Sequence, residues 1–237
     1  EHAISLVGTN TAPKVVVSDG GVLSTSTVGA TFGNLLVKTG GIFNRESNSS
    51  GISGVFEVED NATVTFKHTN STSRSTSIWA GTEKFHANSY FEVLTVDSSA
   101  MEVVQSSSDV SQFTDPITGT TAAFGNIIIN CSTGKMNFVN SGFNANLTHK
   151  NLIFRKNSDT QSFSAGNITT TIGGNLVVET GYNQNNLTLG SGGTVNVTIK
   201  GNINHSDDAI LRVTTNLACN AILKVEGDIS ITGAGKL

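Results

Sequence analysis

One short phrase, usually a polar residue and then apolar residues two apart, recurs eight times along this chain. The copies are Asn34-Leu35-Leu36-Val37, Val55-Phe56-Glu57-Val58, Tyr90-Phe91-Glu92-Val93, Asn126-Ile127-Ile128-Ile129, Asn151-Leu152-Ile153-Phe154, Asn175-Leu176-Val177-Val178, Asn202-Ile203-Asn204-His205 and Asp228-Ile229-Ser230-Ile231. Counted along the sequence from the first apolar member of each copy, the steps are 21, 35, 36, 25, 24, 27 and 26. A fixed period of this size is the signature of stacked structural units that share one core. The two long steps read as the same unit of about 25 residues carrying about ten inserted residues each. This places insertions near residues 69–87 and 106–121.

Within each unit the period is two. Ile127 and Ile129 are followed by Met136 and Phe138, and Leu176 and Val178 by Leu187 and Leu189, in pairs too short for a helix. Thr170/Ile172, Val197/Ile199 and Leu223/Val225 precede their anchors by six and four residues, so each unit holds three short strands. Charged residues make up only 14% and proline occurs twice, while 25 glycines and abundant Ser, Thr and Asn supply turns and polar outer faces. The pattern predicts an all-β chain folded as a right-handed parallel β-helix. Its about nine coils of roughly 25 residues form a single β-solenoid over residues 1–237. At about 4.8 Å per coil the rod would be on the order of 45 Å long. A β-sandwich accounts for the turn density but not for a phrase that returns at so regular an interval through the second half of the chain.

The polar residue of the phrase falls repeatedly on asparagine. Asn34, Asn126, Asn151, Asn175 and Asn202, with Asp228 in the same slot, are expected at one corner, bonding up and down the column as a turn ladder. Glycine and asparagine suit such a corner because both tolerate left-handed backbone.

Chemistry is sparse. A net charge of −4 excludes the electrostatic footprint of a nucleic-acid binder. No apolar run is long enough for a transmembrane segment. The five histidines have no metal-ligand spacing and no cysteine partners, so neither a metal site nor a cofactor is implied. His205 takes the inward slot held elsewhere by Val178 or Ile129 and reads as a core histidine. Glu57 and Glu92 share the slot one past the anchor and are expected as outward neighbours, the one place where Ca²⁺ or a polysaccharide-cleaving carboxylate pair would fit. Apolar residues in the same slot, Leu36, Ile128, Ile153 and Val177, argue instead for a covered face and against an enzyme. The insertions carry the candidate binding residues. Arg74, Trp79 and Lys84 lie in the first, Phe113 and Asp115 in the second, an aromatic beside a charge in each case.

Phe124-Gly125-Asn126-Ile127-Ile128-Ile129, Ile172-Gly173-Gly174-Asn175-Leu176-Val177-Val178 and Val225-Glu226-Gly227-Asp228-Ile229-Ser230-Ile231 resemble the Gly-Asn-aliphatic repeats of large surface proteins of Bacteroidetes, flavobacteria in particular. Trp79-Ala80-Gly81 and Phe85-His86-Ala87-Asn88-Ser89-Tyr90-Phe91-Glu92-Val93 are similar to another phrase of those proteins. The resemblance runs from about Thr31 onward and carries no catalytic residue. It implies export by the type IX secretion system, an extracellular or cell-surface location, and an adhesin-like, structural role. The implied partners are the secretion machinery and cell-surface or glycan ligands. Independently of the resemblance, the last phrase runs out at Ile231-Thr232-Gly233-Ala234-Gly235-Lys236-Leu237 without a capping pattern, and the chain is expected to be a segment of a longer protein. The alternative is a carbohydrate-binding or polysaccharide-degrading β-helix protein.

Overall fold

The alternation of apolar and polar residues folds into stacked parallel strands. A computed structural model describes residues 2–6, 10–25, 30–46, 51–68, 82–96, 101–104, 113–130, 136–139, 142–155, 162–164, 166–179, 187–206 and 210–233. Sheet A runs through ten strands: β1 (His2–Leu6), β3 (Gly21–Thr25), β5 (Ile42–Arg45), β8 (Thr63–His68), β10 (Tyr90–Val96), β12 (Asn126–Ile129), β15 (Leu152–Phe154), β18 (Leu176–Val178), β21 (Ile203–Ser206) and β24 (Ile229–Thr232). Sheet B holds β2 (Asn10–Val17), β4 (Ala30–Val37), β7 (Val55–Val58) and β9 (Thr82–Phe85), with the short β6 (Gly51–Ile52) also on β4. Sheet C holds β11 (Met101–Val104), β13 (Met136–Val139), β16 (Ser162–Ser164), β19 (Leu187–Gly190) and β22 (Leu211–Thr214). Sheet D holds β14 (Phe143–Thr148), β17 (Ile168–Ile172), β20 (Thr194–Ile199) and β23 (Asn220–Val225).

The strands pair in parallel throughout these sheets. The chain is an all-β solenoid. From β13 onward it visits sheets C, D and A in turn, three strands each time. Before β10 its described strands belong to B and A alone, with β6 and β7 both paired to β4. There β2 and β4 are long, at eight residues each.

The register corrects the sequence reading in one respect. The inward column of sheet A is Leu23, Phe43, Val64, Phe91, Ile127, Leu152, Leu176, Ile203 and Ile229. Leu35 and Phe56 belong to sheet B, in line with Val15 and Glu83. The step from Phe56 to Phe91 therefore crosses between sheets. Within sheet A the matching step runs from Val64 to Phe91, 27 residues against 21 from Phe43 to Val64. The misreading has a simple cause: both sheets put every second residue inward, so the same local phrase suits either. Thr82–Phe85 is part of sheet B, so the first insertion is shorter than residues 69–87.

Inward side chains form one continuous core. Nine phenylalanines among the described residues are fully buried, and their rings stack up the axis. Phe32–Phe43, Phe43–Phe56 and Phe56–Phe85 meet edge to face at 6.3, 6.0 and 5.5 Å, and Phe91 and Phe124 close the series at 4.9 Å. Some buried positions hold polar groups. His205 is buried between Val178 and Ile231, as its sequence slot implied. Glu83 is buried in sheet B. Arg45 sits between Thr25 and Phe66 with its guanidinium carbon 5.5 Å from the Phe66 ring centre, and burial lowers its pKa to about 10.

Two different corners lead into sheet A. In the first coils the turn is left-handed, at Gly20 (φ 67°), Gly40 (φ 76°) and Asn61 (φ 60°). From Asn126 onward the corner is an asparagine ladder. Asn126 Oδ1 accepts from the Asn151 N–H at 3.2 Å, Asn151 Oδ1 from Asn175 N–H at 2.9 Å, Asn175 Oδ1 from Asn202 N–H at 2.8 Å and Asn202 Oδ1 from Asp228 N–H at 2.8 Å. Asn34 lies outside this column, in sheet B, where it accepts from Val55 N–H at 2.7 Å. The ladder glycines are needed for space and not for left-handed backbone, since none of Gly125, Gly174, Gly201 and Gly227 has positive φ. A Cβ on Gly174 would stand 2.8 Å from Asn151 Oδ1, and one on Gly201 or Gly227 would run into the oxygen of Asn175 or Asn202.

Gly201→Ala should accordingly destabilise the rod by about 1–3 kcal/mol. Asn175→Ala should cost about 1 kcal/mol through the orphaned Asn202 N–H. In a double-mutant cycle read by denaturant unfolding the two should couple favourably by about 1 kcal/mol, because the second removes the oxygen that the new methyl strikes. Strict additivity would show that the clash lies elsewhere.

Candidate functional site

The residue that follows each sheet B or sheet D strand starts the corner, and its N–H reaches back to the previous coil. Val58 O accepts from His86 N–H, Phe124 O from His149 N–H, Thr148 O from Gly173 N–H and Ile172 O from Lys200 N–H. His86, Gly125, His149, Gly173 and Lys200 thus form one vertical column. Gly125 leaves a gap in it between two histidines. No Cβ fits there, since it would meet His86 O, Ser89 O and Ser89 Oγ.

The second insertion fills this gap. Phe113 stacks on His86 with ring centres 4.2 Å apart and planes 13° from parallel, and it meets His149 edge-on at 5.8 Å. Beyond it, residues 113–121 form a closed flap. Thr114 and Thr121 bridge in antiparallel fashion, with their hydroxyls 2.7 Å apart. Asp115 is 4% exposed and organises the turn. Its Oδ1 accepts from Ile117 N–H at 2.7 Å and Thr118 N–H at 3.3 Å, while its backbone bonds Thr120 O and Gly119 N–H. Asn146 Nδ2 donates to Thr121 O at 3.1 Å and ties the flap to sheet D.

The electrostatics follow from this packing. His86 Nε2 lies 3.0 Å from Glu57 Oε1, an ion pair when the ring is protonated. Burial holds His149 below the usual histidine range, opposed by Asp115 and Asp60 and reinforced by Lys150. Backbone hydrogen bonding from Ile117 holds Asp115 below the usual carboxylate range, with Thr118, His149 and Lys150 adding to it.

The flap also walls a cleft of about 300 Å³ against the outer face of sheet D, lined by Thr118, Thr120, Asn146, His149, Thr171 and Lys200 among others. The sheet D face beside it is a field of amides and hydroxyls in register. Asn144, Thr169 and Asn196 make one column, and Asn146, Thr171 and Thr198 the next. In the second column Thr171 and Thr198 place two threonines in line.

Of the sequence candidates, the structure brings Phe113 and Asp115 together on the flap. Arg74 and Trp79 lie outside the described residues. Lys84 is not on a free loop but in β9, opposite Glu57 in register. Glu57 and Glu92 are not neighbours. Glu57 pairs with Leu36 and Lys84 in sheet B, whereas Glu92 pairs with Thr65 and Ile128 in sheet A and accepts from Asn130 Nδ2 at 3.0 Å. The carboxylate pair that would have held Ca²⁺ or cleaved a polysaccharide is therefore not formed. The same sheet change removes Leu36 from the apolar outer row, which is Ile128, Ile153 and Val177. Among the described residues no three His, Cys, Asp or Glu side chains converge as metal ligands, and no helix is long and apolar enough to cross a membrane. His86, His149 and the sheet D face escaped the sequence reading because their partners lie a full coil or more away along the chain. The local signal was a histidine directly after the last residue of a strand-like alternation, in both Phe85-His86 and Thr148-His149. No protein-family model, curated protein or solved structure matches the chain.

The flap should loosen in acid. A histidine with a lowered folded pKa binds its proton more weakly folded than unfolded, so its stabilisation is complete well above the ordinary 6.5 and is lost as pH falls below that value. Asp115 acts in the same direction at lower pH: its contribution is present above the ordinary 3.8 and lost as pH falls through its lowered value. Hydrogen exchange at Asp115 and Gly119, corrected for intrinsic rates, should speed up between pH 7.5 and 5.5. The increase should be smaller in His149→Gln.

Proposed function

We propose that this chain is a rigid, non-enzymatic segment of an exported bacterial surface protein, a stalk or adhesive scaffold that holds the flap and the sheet D face at a fixed place. We take the winding as right-handed with about nine coils, and residues 1–237 as one unit. The observation that carries the reading is the unbroken column of ten parallel strands in sheet A, clamped at one corner from Asn126 onward by successive asparagine bonds. Such a column resists bending and shear because each coil is bonded along its length to the next. The resemblance to Bacteroidetes surface repeats supports export through type IX secretion and an extracellular setting. Adhesion by such a rod would draw on many weak contacts acting together.

The separation of Glu57 from Glu92 weighs against the polysaccharide-degrading alternative, since glycoside cleavage needs two carboxylates about 5–10 Å apart across one bond. The carbohydrate-binding form of that alternative keeps a specific support, the amide and hydroxyl field of sheet D.

Displayed on a non-adherent bacterium, the chain should raise attachment to polysaccharide-coated surfaces while releasing no reducing sugar from them. Pulled between its ends in an optical trap, it should extend in steps of about 85 Å, the contour of one coil of roughly 25 residues at ~3.4 Å each. Release of reducing ends that Glu57→Gln abolishes would overturn the scaffold reading.

A further inference from the structure

The cleft between the flap and sheet D contains a buried polar group whose partner the protein does not supply. His149 lines the cleft and is 8% exposed, and its Nε2 is buried without a hydrogen-bond partner. The other ring nitrogen is engaged. The imidazole donates to the Phe113 backbone carbonyl, which raises the His149 pKa, and because Nε2 has no partner the donor is Nδ1. Burial lowers the pKa of the ring and so favours its neutral form. Nε2 is therefore a lone-pair acceptor, and leaving it unmatched is costly in a low-dielectric site. What it lacks is a donor. A carboxylate or phosphate oxygen brings no proton to this atom; a hydroxyl does.

The remaining walls match the same chemistry. Thr118 Oγ1 accepts from Thr120 N–H and keeps its proton to donate, Thr120 Oγ1 donates to Thr118 O and keeps its lone pairs to accept, and Thr171 and Lys200 add a hydroxyl and an ammonium donor. Asn146 spends its amide nitrogen on Thr121 O, which leaves its oxygen as an acceptor. Donors and acceptors alternate around a cleft of about 300 Å³, the small end of ligand sites. The adjoining columns Asn144/Thr169/Asn196 and Asn146/Thr171/Thr198 continue the polar surface beyond it, in a groove of about 260 Å³.

We propose that this cleft is a saccharide subsite. One pyranose ring enters between the flap and Thr171, displacing the flap edge enough to uncover His149 Nε2, and one of its hydroxyls donates to that nitrogen. Its other hydroxyls bridge the threonine side chains and Lys200, and further rings of a chain lie along the sheet D groove. The inference gives the scaffold reading a ligand class, and it rests on that reading only in taking the bound sugar to be held and not cleaved.

The test follows the His149 imidazole nitrogens of the full chain by NMR while methyl α- and β-pyranosides of glucose, galactose, mannose and N-acetylglucosamine, and their β-linked oligosaccharides, are added. At least one should shift Nε2 saturably with a Kd on the order of 1–10 mM for the single ring. A longer oligosaccharide should bind more tightly. Thr171→Val keeps the side-chain shape and leaves the flap contacts intact. It should weaken binding about ten-fold without changing the melting temperature. His149→Gln should weaken binding as well, with the flap checked by hydrogen exchange. The proposal is overturned if no sugar gives a saturable shift, if Thr171→Val binds as the native chain does, or if inorganic phosphate or acetate shifts Nε2 as strongly as the best sugar. Release of reducing ends with the Nε2 shift preserved would instead sink the scaffold reading and leave the subsite standing.

Discussion

A backbone N–H donated to an asparagine oxygen one coil below sets the geometry on which the rest of this molecule depends. Parallel strands can slide along one another, and a slip of one residue would turn every inward side chain outward. The bonds from Asn151, Asn175, Asn202 and Asp228 to the oxygens beneath them prevent that slip at one corner of the coils from Asn126 onward. Glycine at 174, 201 and 227 lets the next coil settle close enough for the bond to form. With register fixed there, Phe91, Ile127, Leu152, Leu176 and Ile203 line up as one wall of the core. The outer faces align with equal regularity, which is why the amides and hydroxyls of sheet D form columns.

The place where this order is interrupted is also the most chemically distinctive. The ladder begins at Asn126, and directly before it Gly125 leaves the corner column without a side chain. Phe113, from the insertion just before Gly125, takes that space between the rings of His86 and His149. The flap is thus held by aromatic packing at its base, by Asp115 within its turn and by Asn146 at its far edge. Regular coils supply rigidity, and the irregular insertion supplies a concave surface that a bare solenoid lacks. Packing Phe113 against His149 buries the imidazole and leaves its Nε2 without a partner. The acceptor at Nε2 is a consequence of that packing.

Much of the architecture was legible because solenoids repeat their instructions. The regular return of the apolar phrase, the alternation of Val195, Val197 and Ile199, and the Gly-Asn pairs pointed to stacked parallel strands with a corner ladder. His205 was readable as an inward residue for the same reason. What failed was the assignment of phrases to sheets. Leu35 and Phe56 look like Phe91 locally, yet they line sheet B, and the error carried Glu57 into a false partnership with Glu92. The reason offered for the ladder glycines also failed, because close approach to an oxygen of another coil leaves no trace in local sequence. Left-handed backbone does occur, but at Gly20, Gly40 and Asn61.

The sequence by itself determined the kind of object this protein is: its period, its alternation, its inner wall and the residue type at its corners. These are local properties repeated many times, and each repeat reinforces the others. Only the tertiary structure decided which strands are neighbours, where the column is broken and what fills the break. Phe113 is remote in sequence from both His86 and His149, yet the three share one contact cluster because coils stack at right angles to the chain direction. The hydroxyl-lined cleft arises from the same geometry. Its walls come from an insertion and from two strands of sheet D, brought together by the climb of the chain from one coil to the next.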